Sequence, residues 1–219
     1  MIIMKQNNFI FLALPIYSGN KQETEKRKVK FLVSRIYSLN SQKEDSYYDS
    51  ESEFYFTMIG YLSNFEKLKK DYNIKTDSDL QLICNLWKNL GEKIFTLLQG
   101  VYMLIIYNDK TGKLLIFQDE YGFNQPLYYI ISNNTFYFSN NLKYLLSTSK
   151  IERTLNVESV RQFLLTGFIY FGNVVPGEET LFNNIKKLLP SQMIYRDKHT
   201  SIPSIILKKD VNNEVSSWY

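Results

Sequence analysis

Two apolar runs near the middle of the chain are separated by a short polar turn. The runs cover residues 101–107 and 113–117, and Asn108-Asp109-Lys110-Thr111-Gly112 lies between them. Two such runs, joined by a turn whose glycine can adopt a left-handed conformation, predict a β-hairpin. Neither run alternates between apolar and polar positions, so we expect both strands to be covered on both faces.

Further elements follow from the same pattern. Five more apolar runs predict strands over residues 9–17, 29–39, 54–61, 127–132 and 135–139. Two short helices are predicted, one capped by Asn64 and one over residues 142–146, and apolar residues at helical spacing predict longer helices over residues 78–90 and 157–166. Ser78 and Gln81 predict a capping box. We expect one folded domain over residues 1–196, followed by a polar tail over residues 197–219.

Composition excludes several classes of function. The net charge is +4, but the basic residues are scattered, so a nucleic-acid interface is not predicted. Cys84 is the only cysteine and His199 the only histidine, which excludes an internal disulfide and a Cys/His zinc site. No apolar run has the length of a membrane span, and the expected location is the cytoplasm. No metal or cofactor is predicted.

Three motifs, taken together, resemble the glutaminase domain of the asparagine synthetase family. The first motif contains Asp119, Gly122 and Pro126-Leu127-Tyr128-Tyr129 in the family's register, with Gln118 and Glu120 where the family has arginines. The second is Thr76-Asp77-Ser78-Asp79-Leu80-Gln81-Leu82-Ile83. The third is Val175-Pro176-Gly177 followed by Thr180-Leu181-Phe182-Asn183-Asn184-Ile185-Lys186-Lys187-Leu188-Leu189-Pro190.

The resemblance implies an α+β fold of the Ntn-hydrolase type. In this fold, two antiparallel sheets lie between helices as a four-layer αββα sandwich. The helices predicted over residues 78–90 and 157–166 fit its outer layers.

The resemblance also identifies the chemistry to look for. Glutaminases of this family attack the glutamine amide with the thiolate of an N-terminal cysteine, whose own α-amino group is the base. In this sequence no Cys, Ser or Thr precedes Ser18. The family's Asn-Gly-Glu-Ile-Tyr-Asn motif aligns with Ile59-Gly60-Tyr61-Leu62-Ser63-Asn64, so Ile59 occupies the position of the family's oxyanion-hole asparagine. The adjacent Gly60 is retained. We therefore expect no catalytic residue, and we interpret Cys84 as a packing residue inside a helix.

Two positions could retain contacts with a substrate. Asp79 matches the acidic residue that receives the substrate's α-amino group, and Arg35 is a candidate for the arginine that binds the α-carboxylate. Each has a simpler interpretation: Asp79 as a charge that stabilises the start of its own helix, and Arg35 as an exposed arginine on a strand.

The resulting hypothesis is a degenerate glutaminase domain that has no enzymatic activity on its own, like those of lasso peptide cyclases and β-lactam synthetases. It would be an accessory or scaffold subunit for a separately encoded ATP-dependent, amide-forming synthetase in peptide or natural-product maturation. The expected partner is that synthetase or a precursor peptide, because the sequence lacks the family's Ser-Gly-Gly-x-Asp-Ser pyrophosphate loop. One alternative is a module that binds an amino acid or peptide through Arg35 and Asp79. The last is an enzyme with Ser18 exposed by proteolysis as its nucleophile.

Overall fold

The computed structural model describes residues 11–15, 46–108, 110–122, 126–132, 135–147, 151–171, 175–196 and 203–207. Within these ranges the chain forms twelve strands, four α-helices and one 3₁₀ helix. The strands are β1 (Phe11–Pro15), β2 (Ser46–Asp49), β3 (Phe54–Leu62), β4 (Gly100–Asn108), β5 (Leu114–Gln118), β6 (Tyr128–Ser132), β7 (Thr135–Ser139), β8 (Tyr170–Phe171), β9 (Val175–Pro176), β10 (Lys186–Lys187), β11 (Gln192–Arg196) and β12 (Ser204–Leu207). The helices are α1 (Phe65–Asp71), α2 (Asp79–Leu90), α3 (Leu142–Ser147) and α4 (Val157–Thr166), and the 3₁₀ helix is Gly91–Thr96.

The predicted central hairpin is confirmed. Strands β4 and β5 pair antiparallel, with Tyr107 opposite Leu114 and Met103 opposite Gln118. The turn is closed by Asn108, whose side-chain oxygen accepts hydrogen bonds from the backbone N–H groups of Lys110 (3.0 Å) and Thr111 (2.8 Å). Gly112 has the expected positive φ of 71°.

Two antiparallel sheets extend from this hairpin. The larger sheet has six strands in the order β12-β11-β5-β4-β3-β2, so the hairpin occupies its centre. The smaller sheet has four strands in the order β1-β7-β6-β10. Strands β8 and β9 form a separate two-stranded ribbon.

Three apolar clusters separate four layers. The first packs α1 and α2 against the six-stranded sheet, with Leu82, Leu86 and Trp87 meeting Phe56 and Leu104. The second lies between the two sheets, and the third packs α3 against the outer face of the four-stranded sheet. The predicted αββα sandwich is therefore confirmed. The helix of the fourth layer, however, is α3: its Leu145 belongs to the third cluster, whereas the one buried residue of α4 is the polar Ser159.

Helix ends differ in part from the prediction. The Ser78 side chain accepts from the Gln81 N–H at 3.5 Å, but Gln81 Oε1 accepts from the Thr76 hydroxyl at 2.8 Å instead of closing a capping box. The Asn64 side chain does not cap α1. It connects the start of that helix to the segment before β4, donating to the carbonyl of Leu97 (2.8 Å) and accepting from the N–H of Gln99 (3.1 Å).

Predictions for the first two strands and for the C-terminal stretch have different outcomes. The first predicted strand is confirmed as β1, whereas the strand predicted over residues 29–39 lies outside the described residues. Strand β12 falls within the stretch predicted as a polar tail and pairs with β11 at the edge of the six-stranded sheet. None of the helices in the described ranges is long and apolar enough to cross a membrane.

We predict that Ile105→Asp unfolds the protein. Ile105 lies on β4 between the two sheets with 1% of its surface exposed, and burial of an unpaired carboxylate costs several kcal/mol out of a total stability of about 5–15 kcal/mol. The matched control is Ile131→Asp, because Ile131 is also on a strand but is 44% exposed. Thermal melts compare the two variants. Equal melting temperatures for both would contradict the packing of β4 between the sheets.

Candidate functional site

The predicted site residues lie toward one end of the six-stranded sheet. Ile59 and Gly60 are on β3, and Asp79 is the first residue of α2. The last turn of α2 is fixed at the β2–β3 turn by Lys88 Nζ, which lies 3.0 Å from Asp49 Oδ1. The first turn of α2 therefore points toward the opposite end of β3, where Ile59 and Gly60 are. Arg35 lies outside the described residues.

Gly60 is required by the backbone at this end of the sheet. Its φ is +111°, and a Cβ atom there would lie 2.0 Å from the Val101 carbonyl oxygen and 2.9 Å from Tyr102 Cα. On the paired strand, a Cβ atom at Gly100 would lie 2.3 Å from the Tyr61 carbonyl oxygen. The two strands therefore approach too closely for a side chain at either glycine. The fold alone accounts for glycine at position 60, whether or not its N–H serves an oxyanion.

A row of three side chains crosses the sheet at the predicted oxyanion position. Ile59 pairs with Met103, which pairs with Gln118 on the next strand. Ile59 is half-buried and packs on the apolar cluster between the sheets, whereas Met103 and Gln118 are buried. Ile59 and Met103 have no side-chain N–H or O–H to donate to an oxyanion. Sequence reasoning did not include Met103 or Gln118 in the site, although extending the hairpin register from its turn would have placed them opposite each other.

The buried end of β5 carries two unpaired acceptors. Within the described part of the chain, Gln118 Oε1 and Asp119 Oδ2 are buried and have no hydrogen-bond partner. Buried acceptors are normally paired, so a donor that reached either oxygen would be stabilised there.

Asp119 has a structural task in addition. Its Oδ1 accepts from the backbone N–H groups of Tyr121 and Gly122, both at 2.9 Å. Gly122 has a φ of +63°, and a Cβ there would lie 2.6 Å from Pro190 Cγ. The Asp-x-x-Gly motif thus forms a tight turn that packs against the later Pro190.

Burial raises the pKa of Tyr102 above its ordinary range, and the nearby negative charges of Asp119 and Glu120 raise it further.

Asp79 is placed where its interpretation as a helix-start charge requires it, and its predicted contact with a substrate stays a prediction. It is 5% exposed and belongs to the first turn of α2, where a negative charge interacts favourably with the helix dipole. Helix α2 packs on one face of the six-stranded sheet, whereas Ile59 packs on the opposite face, between the two sheets.

Cys84 is packed inside α2, as predicted. It is 3% exposed and belongs to the apolar cluster between α2 and the six-stranded sheet. Burial raises the pKa of its thiol to about 11, and the negative charge of Asp49 raises it further. A thiolate nucleophile at this position is disfavoured. Among the described residues, no group of three or more His, Cys, Asp or Glu side chains is arranged to hold a metal ion.

Comparison with known families gives the assignment. Residues 33–204 match the model of a family described as a glutamine amidotransferase domain. The chain belongs to this family. The match includes the six-stranded sheet from β2 to β11, and it covers Arg35, Ile59, Gly60 and Asp79.

Similar proteins connect this amidotransferase domain to asparagine synthetases. Asparagine synthetase (glutamine-hydrolysing) 1 of Bacillus subtilis is 27% identical over 146 residues, which are 64% of this chain and 22% of that protein. A Methanocaldococcus jannaschii protein named as asparagine synthetase (glutamine-hydrolysing) 2 is 28% identical over 142 residues, which are 63% of this chain and 26% of that protein. The resemblance to the glutaminase domain of the asparagine synthetase family is thus confirmed, and the chain matches about a quarter of the length of these relatives.

A solved structure of a related kind is also similar. Glutamine phosphoribosylpyrophosphate amidotransferase from B. subtilis, in complex with ADP and GMP, aligns with 80% of this chain and 34% of its own, at 13% identity and a TM-score of 0.47. The fold assignment stands on the layers and sheets of the amidotransferase domain itself.

We predict that Gly60→Ala lowers the free energy of unfolding by about 3 kcal/mol or more, because the added methyl group would collide with the Val101 carbonyl. The control is Gly112→Ala, where φ is +71° but nothing lies within 4 Å of the added atom. The control should cost about 1 kcal/mol, from backbone conformation alone. Urea unfolding measures both, and similar losses in the two variants would contradict the close approach of β3 and β4.

The Cys84 thiol should be unreactive in the folded protein. With a pKa of about 11, roughly one thiol in a thousand is ionised at about pH 8, and burial blocks access to that fraction. Ellman's reagent should therefore modify Cys84 only after denaturation. Because the thiol pKa is raised on folding, this residue's contribution to stability is fully present below the unfolded pKa and is lost as the pH rises through the folded pKa of about 11. Rapid labelling of the native protein would show that Cys84 is accessible and ionised.

Proposed function

We propose that this chain is a non-catalytic glutamine amidotransferase domain that acts as an accessory or scaffold subunit for a separately encoded ATP-dependent, amide-forming synthetase. The single observation that carries the proposal is the loss of the nucleophile: the one cysteine in the sequence, Cys84, is buried in α2 with a raised pKa. The family's reaction needs a reactive thiolate at the end of the glutamine pocket.

The oxyanion position supports the same proposal. A side chain that donates to the developing oxyanion is replaced by Ile59, and its neighbour in the row is Met103. Removal of one oxyanion donor alone costs on the order of 100- to 1000-fold in rate. Apolar side chains in this place also fill the space that the polar group of a substrate would occupy.

A scaffold role fits what the domain retains. All three apolar clusters of the sandwich are intact, and the motif residues with structural tasks, such as Gly60 and Asp119, are present. The asparagine synthetases that this chain matches are about four times as long as the matched part, so in them this domain accompanies much additional protein. A setting in peptide or natural-product maturation is proposed by analogy with the degenerate domains of lasso peptide cyclases and β-lactam synthetases.

Affinity purification of the full chain from its native host tests the scaffold. We expect it to recover a protein with a Ser-Gly-Gly-x-Asp-Ser pyrophosphate loop. Recovery of no synthetase-like protein, under conditions that retain a known complex of the same host, would contradict the proposal.

Binding of an amino acid is the second proposal, and it depends on Asp79. Asp79 is a buried carboxylate at the start of α2, and the family resemblance implies that it receives a ligand's amino group. Calorimetric titration with glutamine, glutamate and asparagine distinguishes it from the scaffold. Heat that is lost in Asp79→Ala would favour binding, whereas no heat with any of the three removes this proposal.

Restoring the lost chemistry should not restore activity. We predict no measurable release of ammonia from glutamine by a variant that starts with Cys immediately before Phe9 and carries Ile59→Asn. Catalysis requires the whole set of groups to be held within fractions of an ångström, and the apolar Met103 would still be the cross-strand neighbour of position 59. The matched control starts with Ala in place of Cys. Glutamine turnover above that control would show that the pocket is intact apart from these two changes.

A further inference from the structure

Helix α4 has the reverse of the usual amphipathic arrangement. Its apolar face consists of Val157, Val160, Leu164 and Leu165, and we call these four residues the α4 face. Val157 and Leu164 are 77% exposed and Leu165 is 73% exposed. The only buried residue of the helix is Ser159, on the opposite side. Surface helices normally bury the apolar stripe and expose the polar one.

The helix is held in this orientation by its N-terminal end. Leu155 forms a β-bridge with Phe182, and the Asn156 N–H donates to the Leu181 carbonyl at 2.9 Å. The Asn156 side chain caps the helix by accepting from the Ser159 N–H at 3.1 Å. At the other end, Gly167 closes the helix in the left-handed conformation. Backbone contacts and caps thus fix α4, while the side chains of Val157, Leu164 and Leu165 remain mostly exposed.

Such an arrangement indicates a partner. A helix of ten residues is marginal in water without tertiary packing, and adjoining exposed apolar side chains on a soluble domain mark interaction sites. Arg161 lies between Val157 and Leu165 on this side of the helix and pairs with Glu158 at 3.5 Å, so the surface has little net charge. It therefore suits an apolar protein surface better than a phosphate backbone or an anionic membrane.

We propose that the α4 face is the docking site for the amide-forming synthetase, an inference that rests on the proposed scaffold function. Helix α4 lies inside the region that matches the amidotransferase family. In the asparagine synthetases that share this region, about three quarters of the chain lies outside the match. A domain that accompanies so much additional protein needs a face to pack against it. Among the helices in the described ranges, α4 is the one that buries no apolar residue, because its single buried residue is the polar Ser159.

Site-specific photo-crosslinking of the full chain in its native host tests this docking site. A photo-reactive amino acid replaces Leu164 in one variant and Tyr72 in the control, because Tyr72 is 38% exposed at the end of α1. Mass spectrometry identifies the crosslinked protein. We expect position 164, and not position 72, to link to a protein with a Ser-Gly-Gly-x-Asp-Ser loop.

The other outcomes separate the two proposals. A synthetase linked from position 72 but not from position 164 overturns the α4 docking site and leaves the scaffold function standing. Linkage of position 164 only to another segment of this chain, to a second copy or to lipid overturns the docking site as well. If affinity purification recovers a synthetase that position 164 does not link to, the docking site fails and the scaffold function stands. If purification recovers no synthetase and neither position links to one, both proposals fail.

The affinity of the recovered synthetase gives a quantitative check. Leu164→Glu should weaken binding at least about tenfold, because it places a charge at the centre of an apolar interface. Its melting temperature should equal that of the unchanged protein, since Leu164 is exposed in the free domain. Tyr72→Glu should leave both quantities unchanged. Equal affinity for Leu164→Glu and Tyr72→Glu would overturn the docking site.

Discussion

Strand β4 is covered on both faces, and the rest of the structure depends on this constraint. Residues Tyr102, Leu104 and Ile106 face α2, whereas Met103 and Ile105 face the smaller sheet. A strand without access to water must pair its backbone N–H and C=O groups within the protein, and β3 and β5 provide the partners on its two sides. The two apolar faces then require a layer of helices on one side and a second sheet on the other, which gives the four-layer arrangement.

The same packing divides the family's motif residues into two groups. Those present in this chain have structural tasks: Gly60 allows β3 to approach β4, Asp119 and Gly122 form a turn, and Thr180 accepts from the Phe182 N–H and donates to the Ile185 carbonyl. The substituted positions are 59, 118 and 120, where Ile, Gln and Glu replace an asparagine and two arginines. The family resemblance implies a hydrogen-bond donor at position 59, where Ile59 has none. The retained structural residues, together with this implied loss, are the physical basis for proposing a supporting role.

The sequence predicted the elements that are determined locally. The central hairpin, α2 and α4 follow from apolar spacing, caps and glycines, and the structure contains all three. Long-range features were less accessible. The Asn64 side chain pairs with a segment more than thirty residues away, and β12 has only four residues within a polar stretch. The apolar spacing of α4 predicted a helix of the sandwich, but periodicity does not tell whether an apolar face turns toward its own domain or toward a partner. The row of Ile59, Met103 and Gln118 required the register of three strands, of which the sequence directly determines only the hairpin.

The most direct test is a measurement of glutamine hydrolysis by the native protein, alone and together with the synthetase that copurifies with it from its host. Ammonia release is compared with that of buffer and of Cys84→Ala, which removes the only thiol in the sequence. A non-catalytic domain predicts that its rate equals both controls, with and without the synthetase. The account would be contradicted if the domain released ammonia faster than buffer alone, or if the domain with the synthetase released it faster than the synthetase alone. Loss of that release in Cys84→Ala would identify the buried thiol as the nucleophile.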